Sequence, residues 1–565
     1  MDDILHDHRE VRERLLQMAE EKQQSPSDEE EDDTVSDAIG EFGKWQLLLT
    51  FLLSLVNIPC TWHIFAPTFH GARMDTWCAR PERFHNVAPV LWKNCTEQTE
   101  DGCFLLDVFS KDTLSEMDLC RGNTGLKSIK CDAWEFAGPG ETIISEFHLV
   151  CDRKNLINIA EMMFLAGVAV GGLVCGIISD KYGRKKTLLA SIFIQSTLGT
   201  VIALAPWFEL YVLLRCCLGF ISVSVVFSGF ILAIELVGGH WRTITGISYL
   251  FPVSLGYVLI AGLAWLLPNW RHLQLSLSLP GFLFLGLWFI VPESPRWLLA
   301  LGRTKEVLQI METAARFNGK TLPINSGKQL RPRTIGDESA EDVQVSDLFK
   351  TPSMRKKTLV LFLIWFSVYL CYYGLVLNLG NIYGNLYVNS VLVGILEVPA
   401  IAISIVILLK GGRKWPMAIT MILSGVFAAL AVPWALVSSD LQWLATAFTM
   451  ASKFSISSSN AIMPVYTAEL YPTIIRNIGV GAANVSAGIA LMLVPYLWEL
   501  ISIHSSVPML VLAVFGIVGG ASVLLLPETG CGPLVDTIKG GEEMETKIFH
   551  ATNDAKKTNN NCCAS

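Results

Sequence analysis

Charge is scarce in this 565-residue chain. Asp, Glu, Lys and Arg together make up 17% of it, against about 25% in soluble proteins, and the formal net charge is -8. So few charges over so long a chain exclude a soluble enzyme and a fibrous protein, and the missing basic excess excludes a nucleic-acid partner. No apolar stretch precedes Trp45, so no cleavable signal peptide is expected. No glycine-rich nucleotide loop and no metal-ligand cluster is visible either. Nucleotide-driven pumping, a bound metal and any other cofactor are therefore not expected.

Apolar residues are plentiful at 52%, and they fall into recurring stretches of about 20 between Trp45 and Leu526. In lipid each stretch satisfies its own backbone only as a helix, so the fold class is an all-α polytopic membrane protein. Hydropathy places twelve transmembrane helices at 45–67, 156–178, 187–206, 208–233, 245–267, 272–291, 358–378, 386–409, 416–437, 441–466, 478–498 and 506–526. The domains that follow are an acidic tail (1–44), a first bundle (45–291) with a long loop (68–155), a linker (292–357), a second bundle (358–526) and a final tail (527–565). In the first 40 residues 14 Asp or Glu face 4 Lys or Arg, which reads as a solvated tail.

Orientation follows from the short loops. With the N-terminus inside, the cytosolic loops hold Lys181, Arg184, Lys185, Lys186, Arg242, Lys410, Arg413, Lys414 and Arg476, and the outer loops hold only Arg271. Both termini are thus expected in the cytosol, with loop 68–155 outside. That loop carries Cys78, Cys95, Cys103, Cys120, Cys131 and Cys151, an even number on the oxidising side, so three disulfides of unspecified pairing are expected. Asn94-Cys95-Thr96 is a glycosylation sequon at Asn94.

Three features recur at offsets of 229, 234 and 235. Gly183-Arg184 matches Gly412-Arg413, Glu235-Leu236 with Arg242 matches Glu469-Leu470 with Arg476, and Pro292-Glu293 matches Pro527-Glu528. Each lies at the cytosolic end of the corresponding helix, so two six-helix bundles are expected to be related by an axis along the membrane normal.

These residues resemble a family. Gly176-Ile-Ile-Ser-Asp180-Lys-Tyr-Gly183-Arg184-Lys185-Lys186 is similar to the signature between the second and third helices of the major facilitator superfamily. Pro292-Glu-Ser-Pro-Arg-Trp-Leu298, Ala468-Glu-Leu-Tyr-Pro-Thr-Ile-Ile-Arg476 and the cysteine-bearing loop resemble the organic cation, anion and zwitterion transporters of the solute carrier 22 type. The acidic tail and the run Phe42-Gly-Lys-Trp-Gln46 are similar to insect members that carry carcinine or β-alanine. The resemblance implies a major facilitator fold in two six-helix bundles, transport by alternating access and no enzymatic activity. It also implies a multi-pass plasma-membrane location and the lipid bilayer and a small organic cation or zwitterion as partners; a monomer is expected. It assigns Asp180, Arg184, Glu235, Arg242, Arg413, Glu469 and Arg476 to gating, with Arg184–Glu235 and Arg413–Glu469 as ion pairs.

Ionisable residues deep in a bilayer are costly, so those retained there are functional candidates. Glu397, about 11 residues into the eighth span, and Lys453, about 12 into the tenth, both fall roughly 17 Å deep and can pair. An organic ammonium also needs ring faces in place of lost water. The seventh span offers Trp365, Tyr369, Tyr372 and Tyr373, and Tyr372 and Trp365 are the first choices. Tyr249, Asn57 and Asn484 complete the candidate binding set. By the same resemblance the eleventh-span residue that commonly sets charge preference falls on Gly488, so that discriminator is missing. Two alternatives stay open: an organic anion exchanger, and a transport-inactive receptor or scaffold.

Overall fold

The computed structural model describes residues 40–529 except 73, 81, 96–102, 107–127, 139, 240, 321–344, 378, 383, 411, 437–440 and 473–474. Twelve helical segments cross the fold in chain order. The first is two helices, Lys44–Ser54 and Asn57–His70; the second to fourth are Leu156–Tyr182, Arg184–Ile202 and Phe208–Glu235. The fifth is again split, into Trp241–Ser248 and Phe251–Leu266, and the sixth runs from Trp270–Ser278 through a 3-10 stretch to Leu287–Ile290. The seventh to twelfth are Pro352–Val376, Leu386–Lys410, Lys414–Leu436, Gln442–Leu470, Arg476–Leu497 and Val507–Val523.

Nine of these segments are long and apolar enough to cross a bilayer by themselves, and Val507–Val523 is apolar but shorter. The third and tenth spans are polar instead. They bury Thr187, Ser191, Gln195 and Ser196, and Ser452, Lys453, Ser455 and Ser457–Ser459, against other helices, so little of their polarity meets lipid.

Proline explains the two split spans. Pro59 has no N–H and crowds the carbonyl four residues back, and the first span breaks there, between Ser54 and Asn57. Pro252 stands in the first turn of Phe251–Leu266, which restarts the fifth span after a break at Tyr249 and Leu250. The carbonyl that this break frees on Tyr249 accepts a hydrogen bond from Asn57 Nδ2 at 2.8 Å, so each interruption helps to satisfy the other. The seventh span starts six residues before its hydropathic core, because the Thr351 side chain caps it by accepting from the Met354 N–H and Pro352 fits its first turn.

A small ectodomain follows the first span. Strands β1 (Asp75–Cys78) and β4 (Trp134–Ala137) pair antiparallel, as do β2 (Phe104–Leu106) and β3 (Ser128–Lys130), around Trp77, Phe84, Val87 and Trp92. Disulfides join Cys78 to Cys131 and Cys103 to Cys151. Cys120 lies outside the described residues. Asn94 is exposed at the end of helix Pro89–Cys95. Burial pushes the Glu135 carboxyl up, but hydrogen bonds from the Arg80 N–H, the Trp77 indole and the Arg80 guanidinium outweigh it and hold its pKa below the ordinary 4.5. The loop then docks on the first bundle, where Glu146 accepts from Trp270 and pairs with Arg271.

Candidate transport site

At the end of the fold opposite the ectodomain, the duplicated motifs form duplicated geometry. Gly183 turns between the second and third spans at φ +101°, a conformation glycine adopts freely. A Cβ there would meet the Glu293 carboxylate at 2.6 Å. Glu293 Oε1 accepts from the Lys185 N–H at 2.9 Å, and Glu528 Oε1 from the Arg413 N–H at 2.6 Å. Each Pro-Glu carboxylate thus caps the first turn of a span, where its charge suits the helix dipole. Arg184 donates to both oxygens of Glu235 at 3.3 Å and pairs with Asp180 at 2.6 Å. Arg413 donates to both oxygens of Glu469 at 3.1 and 3.2 Å. Both Glu–Arg pairs lie inside one bundle rather than across the two, so what they do directly is brace the ends of the spans they join. Arg242 donates to the Val237 carbonyl at 3.1 Å, and Arg476 opens the eleventh span.

At mid-depth Glu397 and Lys453 meet. Lys453 Nζ donates to Glu397 Oε2 at 2.8 Å, and the two side chains are 2% and 5% exposed, too little for water to share the charge. Ser457, one turn along the tenth span, donates to the same oxygen at 2.8 Å and accepts from Lys453 Nζ at 2.8 Å. Tyr372 Oη donates to the other oxygen, Oε1, at 3.0 Å. The Lys453 ammonium also sits 3.4 Å from the centre of the Tyr372 ring. Pairing is the condition for two such charges to stay buried, and here every strong partner is present.

Tyr257 brings the first bundle to this point: its hydroxyl lies 3.3 Å from that of Tyr372, and its ring centre 4.5 Å from that of Phe65. Trp365, Tyr369 and Tyr373 run up the seventh span as successive ring contacts of 5.8 and 5.6 Å, and Tyr373 meets Tyr372 edge-on at 5.0 Å. Trp365 Nε1 donates to Thr467 Oγ1 at 3.0 Å, which leaves its π face as its remaining interaction.

The structure therefore brings together Tyr372, Glu397, Lys453, Tyr373, Tyr369 and Trp365. It sets the other three candidates apart. Tyr249 turns its hydroxyl to the Val226 carbonyl inside the first bundle, at 3.2 Å, and Asn57 holds the Tyr249 carbonyl. Asn484 faces Gly172 where the eleventh span crosses the second. Tyr257, Ser457, Thr467 and Phe65 were not legible as site residues. Tyr257 lies beyond the break at Tyr249 and Leu250, so helical periodicity counted from Tyr249 gives no signal for it.

Near the ectodomain the bundles are joined. Thr68 Oγ1 donates to the Leu377 carbonyl at 3.0 Å, Ser390 to the Tyr257 carbonyl at 3.2 Å, Tyr496 to Met162 Sδ at 3.5 Å, and Asn158 to Glu499.

Two bundles around a buried polar centre, with motif-bearing loops repeated in each, define a major facilitator transporter. Residues 142–534 match the family described as "Sugar (and other) transporter". The fold is similar to that of the Escherichia coli xylose transporter XylE in its inward-open conformation, with a TM-score of 0.57 at 16% identity over 86% of this chain and 98% of that one. Among curated proteins, the Drosophila melanogaster organic cation transporter protein is 33% identical over 91% of this chain and 95% of its own length. Human solute carrier family 22 member 13 is 33% identical over 89% and 91%, and rat member 2 is 30% identical over 91% and 95%. The chain belongs to the organic cation transporter, or solute carrier 22, family of major facilitator membrane transporters, and it is not an enzyme.

Proposed function

We propose that this protein carries small organic cations or zwitterions across the plasma membrane by alternating access, with both termini and the Pro-Glu caps in the cytosol. The reading rests on one observation, the buried Glu397–Lys453 pair held against the Tyr372 ring. That pair offers an entering molecule a carboxylate, an ammonium and aromatic faces at once. Carcinine, a cationic amine conjugate, can place its ammonium toward Glu397 and Tyr372 and its neutral imidazole toward Lys453. A zwitterion such as β-alanine can place its ammonium there and its carboxylate toward Lys453. Each internal partner is then replaced rather than abandoned, so the charges stay compensated. A simple cation must instead move Lys453 aside, and a simple anion must move Glu397.

The hydrogen bonds between bundles on the ectodomain side support a conformation closed at that side, with Tyr257–Tyr372 as its innermost link. Arg184–Glu235 and Arg413–Glu469 serve the opposite gate by keeping the ends of their own bundles rigid as the bundles tilt. The direction of net flux follows the gradients, because a substrate shifts the two-state balance only by its different affinity for the two states.

The test is labelled uptake in cells expressing the protein, competed by amines, amino-acid conjugates and carboxylates and repeated at two membrane potentials. Entry of a monovalent cation gains about 2.3 kcal/mol per 100 mV of inside-negative potential. Uptake of zwitterions or cations, lost on Glu397→Gln, is expected. Uptake confined to carboxylates would refute the proposal, and no uptake of any class would favour a receptor role.

A further inference from the structure

Away from the transport site, the first bundle buries a second set of ionisable groups that the reading above leaves without a task. Arg215 in the fourth span is 1% exposed. Its Nη1 donates to the His63 carbonyl at 3.2 Å and its guanidinium lies 4.4 Å from the Phe164 ring centre, while its Nη2 has no acceptor. Glu161, three residues before Phe164 on the second span, has a buried Oε1 with no donor. His63 Nδ1 and both ring nitrogens of His70, on the first span, are buried without partners as well. Arg215 acts electrostatically on all three of these residues.

Five orphaned polar atoms on four neighbouring side chains cost too much for packing alone, since each buried unsatisfied group costs about 1–3 kcal/mol. A purely structural role would join Glu161 to Arg215 directly. No ion pair within 4.0 Å does so among the described residues, so both retain bonding capacity. What the four share is proton chemistry: one acid, one fixed cation and two imidazoles. Glu161 is the acid of the set, its carboxylate oxygen buried without a donor, so a proton added there changes the charge beside the fixed cation. The other titratable groups facing it are few. Tyr211 comes from the fourth span; from the eleventh come Tyr496, bonded to Met162, and Glu499 just beyond, bonded to Asn158.

We propose that Glu161, set against Arg215, binds and releases a proton during the transport cycle. The proton adds to a carboxylate oxygen and leaves from it, and no other bond changes. Asn158, which closes the ectodomain side by bonding Glu499, lies one turn before Glu161 on the same helix. Opening that side parts the second and eleventh spans and lets water reach the carboxyl. Its proton affinity therefore differs between the two conformations, and by linkage the proton biases which one is populated. The inference rests on the alternating-access reading but not on the identity of the substrate.

Two measurements on the purified full-length protein test it, and neither needs a substrate. Infrared spectra of wild type minus Glu161→Gln should show the C=O stretch of a protonated carboxyl that appears in acid and disappears in mild alkali. Spin labels on the cysteine pair Asn158→Cys with Glu499→Cys should show a distance distribution that shifts between those conditions, and the shift should vanish when Glu161→Gln is added. A difference band that ignores pH, or a pH-dependent distance shift that survives Glu161→Gln, overturns the proposal. A titrating band in a protein that takes up no solute would leave the proton site standing and sink the transport reading instead.

Discussion

Removing one member of the buried ion pair is the most searching perturbation of the centre. At 2.8 Å the Glu397 and Lys453 charges attract by about 6 kcal/mol at an effective dielectric constant of about 20. Most of that offsets desolvation, so the pair itself stabilises little. Breaking it is another matter. Glu397→Gln leaves the Lys453 ammonium buried with Ser457 and the Tyr372 ring but no countercharge, and loss of one partner of such a pair costs about 3–5 kcal/mol. Lys453→Met leaves Glu397 with the Tyr372 and Ser457 hydroxyls only. The double variant removes both charges and should recover most of the loss. The expected result is a double-mutant cycle in which each single variant lowers the melting temperature of the detergent-purified protein, the double variant lies near wild type, and the coupling exceeds about 2 kcal/mol. Parallel uptake should fail in all three, since the double variant restores packing but offers a substrate no charges. Additive losses of stability would refute the reasoning, and normal uptake by the double variant would remove the pair from the transport site.

Tyr372→Phe keeps the ring but leaves Glu397 Oε1 without its donor, so uptake affinity should weaken by about 1–3 kcal/mol, while Tyr372→Ala should weaken it further; saturation curves for the two variants check this. Glu235→Gln should impair uptake without loss of surface protein, measured by surface biotinylation beside initial rates, because Arg184 keeps Asp180 but loses its more buried partner. In the ectodomain, the stabilisation from Glu135 is complete above its unfolded pKa near 4.5 and disappears as pH falls through the lower folded value. Limited proteolysis of the loop should accordingly accelerate below about pH 4 in wild type, and Glu135→Gln should flatten that acid step. Glycosidase treatment should increase gel mobility of wild type and leave Asn94→Gln unchanged, given the exposed position of Asn94.

The sequence by itself determined the fold. Recurring apolar stretches, a shortage of charge and three motifs repeated at near-constant spacing left a duplicated helical bundle as the arrangement that satisfies backbone and side chains in lipid. It also pointed to Glu397 and Lys453, because unpaired charge at that depth is too costly to keep without purpose. Partnership was a matter for tertiary structure. Tyr257 enters the site from the opposite bundle, on a helix that restarts at Phe251–Pro252, and no periodicity within one segment reports what another segment brings to it. For the same reason Tyr249 and Asn57, plausible on their own helices, spend their polar groups on each other and on a carbonyl of the fourth span. The Arg–Glu pairs were legible as pairs, but that each stays within one bundle depends on helix packing, which residue spacing along a chain does not encode.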